Sequence, residues 1–248
     1  MAKLAIIGGT GLTSLKGLEI TNRQVMHTPY GEPSGPLVHG EFCGTEVVFL
    51  PRHGSGHTIP PHKVNYRANI WALQEAGADK VIAVNAVGGI RADMLPARLV
   101  FPNQIIDYTW SRINTYFEEG LNHVTHIDFT NPYCEELRQH LIRGARDAGL
   151  DAVDEGTYGA TQGPRLETIA EVNRMERDGC HIVGMTGMPE AALARELGLC
   201  YASCAVVANM AAGRGPGEIT MEEIEHNLIS GMNKVRTLLE YVLGDLRS

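Results

Sequence analysis

The chain has 248 residues, 44% hydrophobic and 20% charged, and a formal net charge of −8 at pH 7. That is enough for one sizeable core, and 28 glycines with only 6% aromatics suit an α/β chain with many tight turns rather than a repeat or disordered polymer. The negative balance and the lack of a basic patch exclude nucleic acid and anionic membrane surfaces as partners, while a small anion in one local pocket fits.

The start, MAKLAIIGGTG, has no cleavable apolar region, and no stretch reaches 18 uninterrupted apolar residues. A cytoplasmic setting is therefore expected. In chain order, KLAIIGG (3–9) reads as a strand ending in glycines and TEVVFLPRHG (45–54) as a strand ending in a basic loop. NYRANIWALQEAG (65–77) reads as a helix with Ala68, Trp71, Leu73 and Ala76 on one face, and KVIAVNAVGG (80–89) as the next strand. After LVFPNQIID (99–107) come the helix PYCEELRQHLIRGARDAG (132–149), the strand TYGATQG (157–163) and a helix through ETIAEVNRMERDG (167–179). HIVGM (181–185) is a strand, MPEAALARELG (188–198) a helix with Pro189 in its first turn, and CYASCAVVAN (200–209) the last strand. Thr220 and Glu223 make a capping box for the closing helix, whose apolar face carries Ile224, Leu228, Val235, Leu239 and Val242.

This alternation predicts one α/β domain over residues 1–248, with a mixed, largely parallel central sheet flanked by helices. Segments 34–38 and 115–123 are candidate lids. Five cysteines, Cys43, Cys134, Cys180, Cys200 and Cys204, are odd in number and form no CxxC pair. They read as buried reduced thiols rather than a zinc site.

Ligands of such sheets collect where strands run out into loops. The strand ends here carry Gly8-Gly9-Thr10-Gly11, Arg52-His53, Asn85-Ala86, Gln162-Gly163-Pro164-Arg165, Met185-Thr186 and Asn209. The GGTG turn and Thr186 offer hydroxyls and backbone amides, and Arg52 a permanent charge with a fork suited to an oxyanion. Glu167 and Asn209 offer hydrogen bonds that can read a heterocycle. Glu167, at the start of a helix, also reads as an ordinary first-turn carboxylate. Asn209, in an apolar strand, needs partners for its amide from either the protein or a ligand, because leaving it unpaired costs about 1–3 kcal/mol.

GGTGL lacks the third glycine of a dinucleotide fingerprint, with Ser14 in its place, and Glu32 lies in a turn rather than at a strand end. An oxidoreductase is the alternative from another class, and it would need both features. His53, His57 and His62 lie in a proline-rich loop without an HExxH helix, so ordinary loop hydrogen bonding for at least two of them is expected, and no metal. No GxSxG elbow is present and no cysteine has electropositive neighbours, which disfavours hydrolysis through a protein nucleophile.

The motifs GGTGL, RHGSGHTIPPHKVNYRANIWAL, NAVGGI, QGPRLET and MTGMPEAALARELGLCYAS together resemble the trimeric purine nucleoside phosphorylases, and most closely their 5′-methylthioadenosine phosphorylase branch. The resemblance implies a homotrimer in which inorganic phosphate, a co-substrate, attacks the anomeric carbon of a nucleoside and releases the base, with no metal or organic cofactor. It implies a phosphate site of Thr10, Arg52, His53, Asn85, Ala86 and Thr186. Met185 would pack against the sugar, and His126 would reach it from a neighbouring subunit. Arg52 and Thr186 would orient the nucleophile, and Asn209 would stabilise the leaving purine.

Leu166, Glu167, Asn209 and Ala211 fall at the base positions, where the chain departs from the branch. Leu166-Glu167 replaces a Phe-Ser pair, and ANMA replaces an aspartate-bearing TDYD-like segment, with Asn209 and Ala211 at the aspartate positions. Glu167 with Asn209 instead resembles the phosphorylases of inosine and guanosine. A carboxylate accepts from N1–H of a 6-oxopurine, and an amide serves O6 and N7. The wall around the 5′ group is expected along residues 221–228. The expected nucleoside is 5′-methylthioinosine, split into hypoxanthine and 5-methylthioribose 1-phosphate, with 5′-methylthioadenosine, inosine and guanosine as alternatives.

Overall fold

A computed structural model describes residues 3–246 of the protein, and its strands join in one mixed sheet. β1 (Lys3–Gly8) is buried from Leu4 onward and lies parallel to β4 (Thr45–Pro51) on one side and β5 (Ala78–Gly89) on the other. Apolar residues on both faces are what a parallel strand covered by helices on both sides requires. β5 also pairs in parallel with β11 (Cys200–Met210), Cys200 opposite Lys80 and Met210 opposite Gly89. At its far end Gly88 and Gly89 pair antiparallel with β10 (Ile182–Gly184). β9 (Thr157–Ala160) and β7 (Gln104–Asp107) extend that side in parallel, while β6 (Leu99–Val100) and β8 (Ala152–Val153) extend from β11.

The register of β11 against β5 shifts between Val207 and Asn209. An extra residue on one strand resets the alternation of side chains, a device that re-aims a residue beside a site. Asn209 is the first paired residue after that shift.

α1 (Tyr66–Glu75) and α4 (Gly187–Glu196) bury Ile70, Leu73 and Leu193 in the core shared with β5 and β11. α2 (Glu135–Asp147) and α5 (Met221–Asp245) bury Leu137, Leu141, Leu238 and Val242 in the other large core. α3 (Ile169–Arg177) sits over a smaller cluster through Val172 and Met175.

Several expectations are corrected. β2 (Glu19–Gln24) and β3 (Leu37–Phe42) form an antiparallel extension on β4 that the sequence pattern hides. β2 is exposed along nearly its whole length, so no apolar alternation marks it. Leu37 and Val38, placed in a candidate lid, are buried strand residues. The second candidate lid is anchored at its start, where Thr115 and Tyr116 donate to the Glu196 carboxylate at 2.6 and 2.7 Å. In α1 the buried face is Ala68, Ile70 and Leu73, and Trp71 is only half-buried.

α3 begins at Ile169, because Thr168 caps it in a reciprocal box with Glu171, which leaves Glu167 ahead of the helix rather than in its first turn. Met188 in α4 is extended, as the residue before a proline prefers, so the regular helix starts at Pro189. Thr220 caps α5 by accepting from the Glu223 amide, one half of the expected capping box.

Not all cysteines are reduced buried thiols. Cys134 and Cys200 form a disulfide, and Cys43 is exposed; Cys180 and Cys204 are buried as expected. The Cys134 N–H donates to the Tyr201 carbonyl at 2.8 Å, which brings the start of α2 against the start of β11 with the two Cα atoms 5.1 Å apart. That spacing admits a bridge. A separation of 66 residues concealed it in the sequence.

Candidate active site

The strand ends enclose a cavity of about 350 Å³. Thr10 follows β1, Arg52 and His53 follow β4, Ala86 lies in β5, and Met185 and Thr186 follow β10; all six line it. Leu166 and Glu167, after β9, and Asn209 and Ala211, at the end of β11, line the same cavity. Its size is that of a small-molecule site. Two expected residues stand elsewhere. Asn85 is buried behind the wall, and His126 is exposed in the irregular stretch between β7 and α2, outside the cavity lining.

Arg52 is wholly buried, and its fork does not lie free as the sequence suggested. Its Nε and Nη2 donate to the two carboxylate oxygens of Glu190 at 2.6 and 2.7 Å, and Nη1 donates to the Val84 carbonyl at 2.9 Å. One N–H remains on each terminal nitrogen. Burial opposes the charge of Arg52, but the Glu190 charge and hydrogen bonds outweigh it and hold the guanidinium above its ordinary value. Gly9 is required beside it, since a Cβ there would lie 2.9 Å from Nη1 and 2.5 Å from the Val84 oxygen. Gly11 adopts φ +84, the left-handed conformation that glycine allows at no steric cost.

Asn85 is bonded to Thr186 rather than lining the cavity. Its Nδ2 donates to Thr186 Oγ1 at 2.8 Å, and its Oδ1 accepts from Ser203 Oγ at 2.8 Å. With its oxygen accepting from the amide, the Thr186 hydroxyl keeps its own hydrogen for the cavity. Burial first, then the Arg52 charge, depress His53 to about 4, so its ring is neutral. Its Nδ1 lies 2.8 Å from the Ile59 carbonyl, which accepts, so the proton sits on Nδ1 and Nε2 is a free acceptor. His57 meets His53 edge-on at 4.9 Å, and His62 Nδ1 is buried without a partner, so only one of the three loop histidines makes the expected side-chain hydrogen bond. Among the described residues no group of three His, Cys, Asp or Glu side chains is placed to hold a metal.

Also in the lining, Glu167 accepts from the Thr161 hydroxyl through Oε1 at 2.7 Å, leaving Oε2 uncommitted to that bond. Asn209 donates one N–H to the Met210 carbonyl at 2.8 Å. Its immediate partner is thus the protein itself, and the residue still lines the cavity. Ile219 and Ile224 add an apolar wall. A Cβ on Gly11 would lie 3.3 to 3.5 Å from Met232 and Leu228, which places the next turns of α5 against the GGTG loop. Met221, expected in that wall, is 65% exposed and does not line it.

A family model described as the phosphorylase superfamily matches residues 3–244. The chain belongs to the phosphorylase superfamily. A protein named "probable S-methyl-5′-thioinosine phosphorylase" from Pseudomonas syringae pv. tomato is 56% identical over 244 residues, covering 98% of this chain and 99% of its own. The 6-oxopurine nucleoside phosphorylase of Pyrococcus furiosus is 47% identical over 90% of this chain and 85% of its own. Among solved structures, the methylthioadenosine phosphorylase from Schistosoma mansoni in complex with adenine matches with a TM-score of 0.94 at 34% identity, covering 99% of this chain and 92% of that one.

Three residues of this phosphorylase escaped the sequence reading. Glu190 sits inside the quoted MPEAALARELG motif but reads there as a helix residue. Thr161 holds Glu167. Arg112 donates to the carbonyls of Gln162, Met185 and Met188 at 2.8, 2.8 and 2.6 Å and lies over the Tyr66 ring, fastening the loops after β9 and β10 together. Nothing in the stretch SRINTY signals that role.

Proposed function

We infer that this phosphorylase cleaves purine nucleosides with inorganic phosphate and that its preferred substrate is 5′-methylthioinosine. The observation that supports the base preference is that Glu167 and Asn209 line the same cavity as Arg52, His53 and Thr186. In this reading phosphate is held by Thr10, the two remaining N–H groups of Arg52, the amide of Ala86 and the Thr186 hydroxyl. Neutral His53 accepts from a protonated phosphate oxygen, and Asn85 orients Thr186.

A phosphate oxygen bonds to C1′ of the nucleoside as the C1′–N9 bond breaks, and the bonding pair leaves with the purine. Met185 packs under the sugar. Glu167 accepts from N1–H, and Asn209 donates to O6 or accepts from protonated N7, stabilising the charge that develops on the leaving base. Most of the rate then comes from positioning and leaving-group stabilisation, and no metal or organic cofactor enters the scheme.

Ile219 and Ile224 support a thioether rather than a 5′-hydroxyl, and the name of the Pseudomonas relative supports the same choice. A second reading, inosine or guanosine phosphorolysis, is supported by the name of the Pyrococcus relative. The same proposal takes residues 1–248 as one working domain, a homotrimer in which His126 reaches a neighbour's sugar, and a cytoplasmic setting. Among the described residues no helix is long and apolar enough to cross a membrane.

The test is base release from 5′-methylthioinosine, 5′-methylthioadenosine and inosine, each with and without phosphate. Phosphate-dependent release from methylthioinosine, at a kcat/KM at least about ten-fold above the other two, is expected. A preference for methylthioadenosine would overturn the base reading, and equal use of inosine would overturn the thioether reading.

A further inference from the structure

Arg52 and Glu190 are separated by 138 positions, and both side chains are fully excluded from solvent. The Glu190 carboxylate takes the Nε–Nη2 edge of the guanidinium through two short bonds, and Oε1 also accepts from the Tyr201 hydroxyl at 2.8 Å. Tyr201 is itself held by a neighbour, its ring stacking on Tyr133 with centroids 6.2 Å apart. Arg52 lines the cavity beside Thr10 and Thr186, whereas Glu190 does not. A buried ion pair of this kind is often no more stabilising than apolar residues of similar volume, so stability alone is a weak account of it. What the pair does supply is direction. Arginine has a planar set of five donors, and fixing one edge fixes where the others point.

We propose that Glu190, steadied by Tyr201, is a positioning residue for phosphate: it clamps the inner edge of Arg52 so that the remaining N–H groups face the anion. The inference rests on the phosphate site described above and extends it to a carboxylate that touches no substrate.

Electrostatics gives this idea a sharp sign. Glu190 cancels the charge of Arg52, so if charge alone mattered, replacing Glu190 with a neutral isostere would strengthen the attraction for phosphate. If direction matters more, the same replacement weakens phosphate binding although the site has become more positive. The clamp also separates the substrates, because the phosphate reading assigns Arg52 to the anion and Glu167 and Asn209 to the base.

The experiment is steady-state kinetics of Glu190→Gln and Tyr201→Phe, with phosphate and nucleoside varied separately and thermal unfolding recorded for each. Glu190→Gln is expected to raise the phosphate KM by about ten-fold or more, the effect of losing a charge-assisted hydrogen bond, and to leave the nucleoside KM within about two-fold. Tyr201→Phe, which keeps both charges, is expected to raise the phosphate KM by about three-fold, with the nucleoside KM unchanged. An unchanged or lowered phosphate KM in folded Glu190→Gln overturns the proposal, as does a lower melting temperature with both KM values intact. If Glu190→Gln does not fold, an unchanged phosphate KM in Tyr201→Phe overturns it instead. Base release by the unmodified enzyme that needs no phosphate would be seen before any variant and would overturn the underlying reading.

Discussion

Asn209 commits one N–H to the Met210 carbonyl, and in the proposed function its other N–H and its oxygen serve the purine. An aspartate at this position would lose the bond to Met210 and could donate nothing to O6 of a 6-oxopurine, while its carboxylate would suit the exocyclic amine of adenine. Asn209→Asp is therefore expected to lower the kcat/KM ratio of methylthioinosine to methylthioadenosine by about ten-fold or more, in line with the cost of an unpaired polar group in a binding site. Competition between the two nucleosides measures that ratio directly, and an unchanged ratio would remove Asn209 from base selection. That Arg52, Thr186, Glu167 and Asn209 would line one cavity was legible because they stand at or just beyond strand ends in the sequence. Glu190 and Arg112 were not, because their roles arise only from pairing across 138 and 73 positions respectively.

Where a helix begins decides what Glu167 can do. Thr168 accepts from the Glu171 amide at 3.1 Å while the Glu171 carboxylate accepts from the Thr168 amide at 2.8 Å, so the chain turns helical only after Glu167. Hydrogen bonds from Arg165, then the Thr168 amide, hold the Glu171 carboxyl down to about 2, so it stays ionised in this role at any working pH. Thr168→Ala is expected to cost about 1 kcal/mol of stability, read as a lower urea midpoint, because the cap's hydrogen bond is lost. The same variant is expected to raise the nucleoside KM and spare the phosphate KM, since the frayed turn carries Glu167 and not Arg52. The sequence pattern revealed the buried central strands and the long helices. β2 escaped because an exposed edge strand has no apolar rhythm to read, β3 because His39, Gly40 and Glu41 interrupt its buried Leu37, Val38 and Phe42, and the true start of α3 because one cap shifts a boundary that periodicity leaves loose.

The whole molecule is a sheet with a core on each face, and the Cys134–Cys200 bridge ties a helix over one core to the strand between them. Cross-linking residues 66 apart restricts the unfolded chain, which in the loop-entropy account is worth about 4 kcal/mol. Unfolding of Cys134→Ser should therefore begin at a markedly lower temperature than that of the unreduced protein, and adding a reductant should bring the two curves together. A variant that melts with the parent under non-reducing conditions would show that the bridge carries no stability. Glu167, Thr186 and Glu190 all lie between the two cysteines. Part of the site, Glu167 and Thr186 included, thus belongs to a covalent ring of chain. A protease that nicks the exposed stretch at Pro164–Leu166 would open the ring without releasing a fragment, and the cut ends would stay tethered beside the residues they serve.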